Sequence, residues 1–105
     1  MDNIQSKLGM MVSVSPDAKG FTLALAQAEE ALKNGEKVYL YCIDDAVEGL
    51  NDPRLIKLKS EGLNLFGCAF SVRQRKLPIN DLAIFTGLSV LSDIMAETDR
   101  FESFN

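Results

Sequence analysis

The sequence predicts an α/β fold: a parallel or nearly parallel five-stranded sheet with helices on both faces. Two observations predict it. Short apolar runs rich in β-branched and aromatic residues alternate with stretches of helical periodicity, in the order β-α-β-α-β-α-β-α-β. Strands separated by helices pair in parallel through crossovers that place helices over the sheet. The chain of 105 residues contains no repeat, low-complexity segment or interdomain linker, so residues 1–105 form one domain with a single core.

Lys7 to Ser13 (KLGMMVS) is apolar with few interruptions, as a central strand covered on both faces requires. Ser15-Pro16-Asp17 supplies cap and first-turn chemistry for a helix in which Phe21, Leu25, Ala28 and Leu32 form an apolar stripe. Gly35 stands at the C′ position. Val38 to Ile43 (VYLYCI) reads as the second strand, Asp44 to Asp52 as a polar loop, and Pro53 as the opening of a short helix that ends at Gly62. Leu63 to Phe66 is a third strand, broken by Gly67, with a helix from Ala69 to Lys76. Leu77 to Asp81 is a connector and Leu82 to Thr86 the fourth strand. Ser89 can cap a helix carrying Leu91, Ile94 and Met95 on one face, and Arg100 to Phe104 closes the sheet.

Composition excludes several chemistries. A net charge of −4 and a pI near 4.7 argue against a nucleic-acid-binding surface. No apolar run reaches the length of a membrane span, and Asp2-Asn3-Ile4-Gln5 is too polar for an export signal, so a cytoplasmic protein with reduced thiols is expected. There is no histidine, which removes the Ser-His-Asp and Cys-His pairs and any imidazole base. Two cysteines without a CxxC pair make neither a zinc nor an iron–sulfur site, so no metal or cofactor is expected.

In open α/β sheets ligands bind outside the carboxyl ends of the strands. The polar residues expected there are Ser13 and Ser15, Asp44 and Asp45, Cys68, and Thr86 and Ser89, and Cys68 is the strong nucleophile among them. At the junction of a strand and a helix, its thiol lies near unpaired amides and the positive helix pole, which favour the reactive thiolate. Arg73, Arg75 and Lys76 follow and add positive potential. Such a thiol is expected to be partly hydrated. Equally, a cysteine after a strand serves often as a small buried hydrophobe. Cys42, inside an apolar strand, reads as core. A one-residue offset between neighbouring strands would put the two thiols on opposite faces, so no Cys42–Cys68 bond is expected.

Other motifs have plain explanations. Asp44-Asp45 lacks the third acid and the lysine of a magnesium site. Lys19-Gly20 lacks Walker spacing, and no G-x-G-x-x-G follows a strand. Thr86-Gly87-Leu88-Ser89 could hold an anion at a helix N-terminus, but an ordinary turn accounts for it.

Cys68-Ala69-Phe70-Ser71 followed by Arg75, the preceding Gly62-Leu63-Asn64-Leu65, the segment Ala31 to Gly35 and the closing Thr98 to Phe104 resemble, in that order, the DsrE/DsrF/DsrH-like sulfur-relay family. The resemblance spans nearly the whole chain. It implies a small three-layer α/β/α fold, a homotrimer or homohexamer, and sulfur transfer between donor and acceptor proteins through a cysteine persulfide. On that resemblance Cys68 carries the persulfide, and Ser71 and Arg75 orient or stabilise it. Two other readings stand beside it: an oligomeric structural or regulatory subunit with Cys68 merely packed, and a binder of small anions or nucleotides at the same edge.

Overall fold

The computed structural model describes residues 5–105; the polar opening Asp2-Asn3-Ile4, read above against an export signal, lies outside them. The elements run β1 (Lys7–Val12), α1 (Lys19–Lys33), β2 (Lys37–Cys42), a 3-10 helix (Asp44–Gly49), α2 (Pro53–Ser60), β3 (Asn64–Cys68), α3 (Ala69–Gln74), β4 (Ile84–Thr86), α4 (Leu88–Glu97) and β5 (Arg100–Phe104). All four strand pairs are parallel and the spatial order is β4-β3-β2-β1-β5. No helix among the described residues is long and apolar enough to cross a membrane.

That order decides where the helices go. From β1 through β4 the chain steps across the sheet in one direction, and from β4 to β5 it steps back. Right-handed crossovers therefore place α1, α2 and α3 on one face and α4 on the other. The side chains agree. Leu8, Met10, Val12, Val38, Leu40, Cys42 and Leu65 point to the first face, where they pack with Phe21, Leu25, Leu55, Leu58 and Val72. Tyr41 and Cys68 point to the second face with Ile94, flanked by Tyr39, Phe66, Val90, Leu91 and Phe101. The first face holds the larger core, and the second is covered by α4 alone.

Several sequence expectations shift. Ser15-Pro16-Asp17 forms a turn ahead of α1, whose N-cap is Ala18, because the Ser15 hydroxyl bonds the Asp17 carboxylate instead of a helix amide. Gly35, at φ 80, does end α1: its N–H bonds the Leu32 carbonyl and that of Glu36 bonds Ala31. The segment read as a polar loop is a 3-10 helix whose Ala46 and Val47 are buried. Asp52 caps α2 by accepting from the Arg54 N–H at 2.9 Å. Gly67 does not break β3 but lies inside it. A Cβ there would stand 2.9 Å from Leu50 Cδ1, so the residue admits the Leu50 side chain against the strand. Ser89 is not the cap of α4; Gly87 is, and Met95, placed on the buried face by its spacing, is 53% exposed. β4 is only Ile84–Thr86, shorter than the five residues expected.

Candidate functional site

The loops leaving the adjacent strands β3 and β4 turn to opposite faces of the sheet, one into α3 and one into α4. That divergence makes the β3–β4 edge a topological switch point, the place at which doubly wound sheets bind ligands. Cys68 ends β3 at this point and pairs in register with Thr86, the last residue of β4.

The strand pleat fixes which way each thiol points. Cys42 is registered with Gly67, one residue short of Cys68, so the two sulfurs lie on opposite faces and in different clusters. Cys42 is fully enclosed, and burial pushes its thiol up to about 12. Cys68 is also more deeply set than an edge position implies, at 3% exposure, and not partly hydrated. Burial alone would raise its thiol too. The Ser71 side chain, the backbone N–H groups of Ser71 and Phe70, and the Tyr41 hydroxyl together outweigh burial and hold it below the ordinary thiol value. Geometrically Cys68 is the N-cap of α3, its Sγ accepting from the Ser71 N–H at 3.5 Å.

Ser71 does double service. Its hydroxyl, 1% exposed with the rest of the side chain, accepts from the Asp44 N–H at 3.0 Å. Asp44 sits at φ 54, a left-handed conformation that aspartate tolerates better than most residues. The backbone after β2 is thereby tied to the cap of α3.

Tyr41 was not singled out from the sequence. Its ring is wholly buried and stacks on Phe66, with centroids 6.5 Å apart and planes 13° from parallel. Its hydroxyl has the Thr86 and Gly87 carbonyls within donating distance, at 3.1 and 3.0 Å, and one proton to share between them. Burial raises the phenol, and Cys68 raises it further, leaving it above its ordinary value. Thr86 Oγ1 is buried without a hydrogen-bond partner among the described residues. The strand alternation in VYLYC carried the signal, since it puts Tyr39 and Tyr41 on the face opposite Cys42.

The remaining expected site residues are dispersed. Arg75 turns toward the 3-10 helix, pairing with Asp45 at 2.8 Å and Glu48 at 3.8 Å, and it donates to the Ser71 carbonyl at 3.3 Å. Its charge is thus met by carboxylates rather than aimed at the sulfur. Arg73 and Lys76 are exposed. Ser13 lies at the end of β1, separated from β3 by β2, and its hydroxyl donates to Asn105 Oδ1 at 2.7 Å. Ser89 is exposed in the first turn of α4. Among the described residues no group of three His, Cys, Asp or Glu side chains is placed to hold a metal ion.

No family model matches the chain, and neither does any curated protein. Solved structures do. The chain superposes on the YchN protein of E. coli with a TM-score of 0.75 at 16% identity, covering 95% of this chain and all of that one. It superposes on BT1422, a conserved protein of unknown function from Bacteroides thetaiotaomicron, with a TM-score of 0.79 at 14% identity, over 94% of this chain and 95% of the other. The likeness establishes a shared α/β fold.

Proposed function

We propose that the protein is a small sulfur carrier that holds sulfane sulfur as a persulfide on Cys68 and passes it to a partner protein in the reducing cytoplasm. The observation that carries the reading is a thiol at the switch point between β3 and β4, capping α3 and held below its ordinary pKa in spite of burial by the amides and hydroxyls around it. A shift in that direction raises the thiolate fraction, and the thiolate is the attacking species.

The chemistry needs no base. The Cys68 thiolate attacks the terminal sulfur of a persulfide or polysulfide donor; a sulfur–sulfur bond forms on Cys68 and the donor leaves as a thiolate. An acceptor thiolate then attacks the outer sulfur and releases Cys68 unchanged, with no net oxidant or reductant. The resemblance of the Cys68–Ser71 motif to the sulfur-relay family supports this reading, and with it a homotrimer or homohexamer. Phe70 and Ile79, 62% and 60% exposed near the same edge, supply apolar surface for assembly.

Incubation with a sulfane donor followed by mass spectrometry tests the reading. One added sulfur on the Cys68 peptide, absent from Cys68→Ser and removed by an acceptor thiol, is expected. An unmodified Cys68 under conditions that load a free low-pKa thiol overturns it. Light scattering checks the assembly, and a monomer at micromolar concentration overturns that part.

One observation favours a second reading. At 3% exposure Cys68 is as enclosed as a core residue, which suits a subunit that keeps the fold while the cysteine only packs. The same experiment separates the two.

A further inference from the structure

The Tyr41 hydroxyl stands among more acceptors than it can serve. A phenol carries one proton. The Thr86 and Gly87 carbonyls lie 3.1 and 3.0 Å from its oxygen, and Cys68 shares its buried cluster. The two carbonyls belong to the turn that joins β4 to α4, and Thr86 is the ladder partner of Cys68. The turn thus flanks the sulfur, and the phenol helps hold it, beside the Val90 N–H on the Gly87 carbonyl.

We propose that Tyr41 is a positioning residue for Cys68, giving its proton to the β4–α4 turn while the sulfur is neutral and to the sulfur when this becomes an anion, so that charging the sulfur loosens the turn beside it. A neutral thiol is a weak acceptor and cannot compete with two carbonyls. A thiolate can, because hydrogen bonds to an ionised acceptor are roughly twice as strong as neutral ones. The opposed effects of the two groups on each other, with the sulfur disfavouring ionisation of the phenol and the phenol favouring that of the sulfur, are those of a shared proton. Gly87 suits a turn that moves, since a Cβ there would meet nothing within 4 Å. An enclosed thiol needs such a movement before a donor as large as a protein persulfide can reach it. The inference rests on Cys68 being the working thiol, and extends the sulfur-carrier reading by saying how access is controlled.

Other charged groups border the cluster. Lys7 of β1 and Asp93 and Glu97 of α4 line a cavity of about 140 Å³ together with Tyr39 and Phe66. On the far side Arg75 and Asp45 pair with each other. A control must retain all of these, and Cys68→Ala does.

Amide hydrogen exchange over residues 86–91, corrected for intrinsic exchange, reads the turn directly, with the Val90 N–H bonded to the Gly87 carbonyl as its reporter. In the wild type, protection is expected to fall about fivefold, the worth of one hydrogen bond, as pH rises through the Cys68 alkylation midpoint. In Cys68→Ala it should not change with pH. In Tyr41→Phe it should be low throughout, and the alkylation midpoint should move up. A pH-independent turn in the wild type, or the same fall in Cys68→Ala, overturns the proposal. The wild-type and Cys68→Ala comparison decides the matter even if Tyr41→Phe fails to fold. Neither readout uses a sulfur donor, so failure of persulfide loading and failure of this inference are separate results.

Discussion

Alkylation of the folded protein should strongly favour Cys68 over Cys42. Burial takes the Cys42 thiol from 9.0 to about 12, while the cap of α3 holds Cys68 below 9.0. At pH 8 a gap of at least about three units makes Cys42 roughly a thousandfold less ionised. The more basic thiolate is intrinsically more nucleophilic, and a Brønsted slope near 0.4–0.5 returns a factor of about 20. Ionisation therefore leaves Cys68 at least about fiftyfold faster. Access separates them little, since Cys42 is 0% and Cys68 3% exposed, so the preference rests on ionisation. The assay is timed labelling with iodoacetamide at pH 8, a denaturing quench, capping with an isotopically distinct reagent and peptide mass spectrometry. Rates within a fewfold of each other, or faster labelling of Cys42, would refute both the register that separates the thiols and the electrostatics assigned to the α3 cap.

Cys68→Ser should abolish persulfide loading yet cost only about 1 kcal/mol, measured by denaturant titration, because a serine hydroxyl inherits the Ser71 amide as its partner; a much larger loss supports the packed-subunit reading. Cys42 sets the alkaline limb of stability: a thiol raised by burial keeps its proton in the folded chain while the unfolded chain loses it, so stability falls as pH rises from about 9 toward 12, by up to about 1.4 kcal/mol per unit. Cys68, being lowered, contributes stability already fully present above the ordinary thiol range. Melting curves at pH 9 and 10 should therefore show a shallower decline for Cys42→Val than for the wild type. Gly9→Ala should destabilise by about 1–3 kcal/mol, since its Cβ would stand 2.8 Å from both the Phe101 ring and Thr98 Oγ1, and an unchanged denaturation midpoint counts against the close packing of α4 on β1.

Four strands were legible as apolar runs of strand length and Arg100 to Phe104 by its β character, and the parallel pairing followed from the helices between them. What periodicity could not supply was the lateral order. Nothing local in Arg100 to Phe104 says that it joins β1 at the far side from β2, and that placement is what sends α4 to the opposite face. Gly67 was misread because a glycine after an apolar run usually stops a strand; here the missing side chain makes room for Leu50, a contact 17 positions away. Cys68 was legible as the candidate nucleophile from its place between strand and helix. Its enclosure was not, because Tyr41 and α4 close over it from distant parts of the chain. Arg75 was expected to support the sulfur on the strength of the family resemblance and its place within two turns of Cys68. The acids of the 3-10 helix take it instead, and they come from the segment read as a loop.

The interior strand β1 cannot complete its ladder until β5 reaches it, and the hydrogen bond from the Lys7 N–H to Asp99 at the head of that pairing spans 92 residues. Much of the conformational entropy must be given up before this contact forms, and chains dominated by such distant parallel pairings fold slowly. During synthesis the flank of β1 that will receive β5 emerges early and waits unpaired. The exposed backbone there offers a docking edge to any other extended chain. For this sheet, the interval before closure is the time of greatest risk of aggregation.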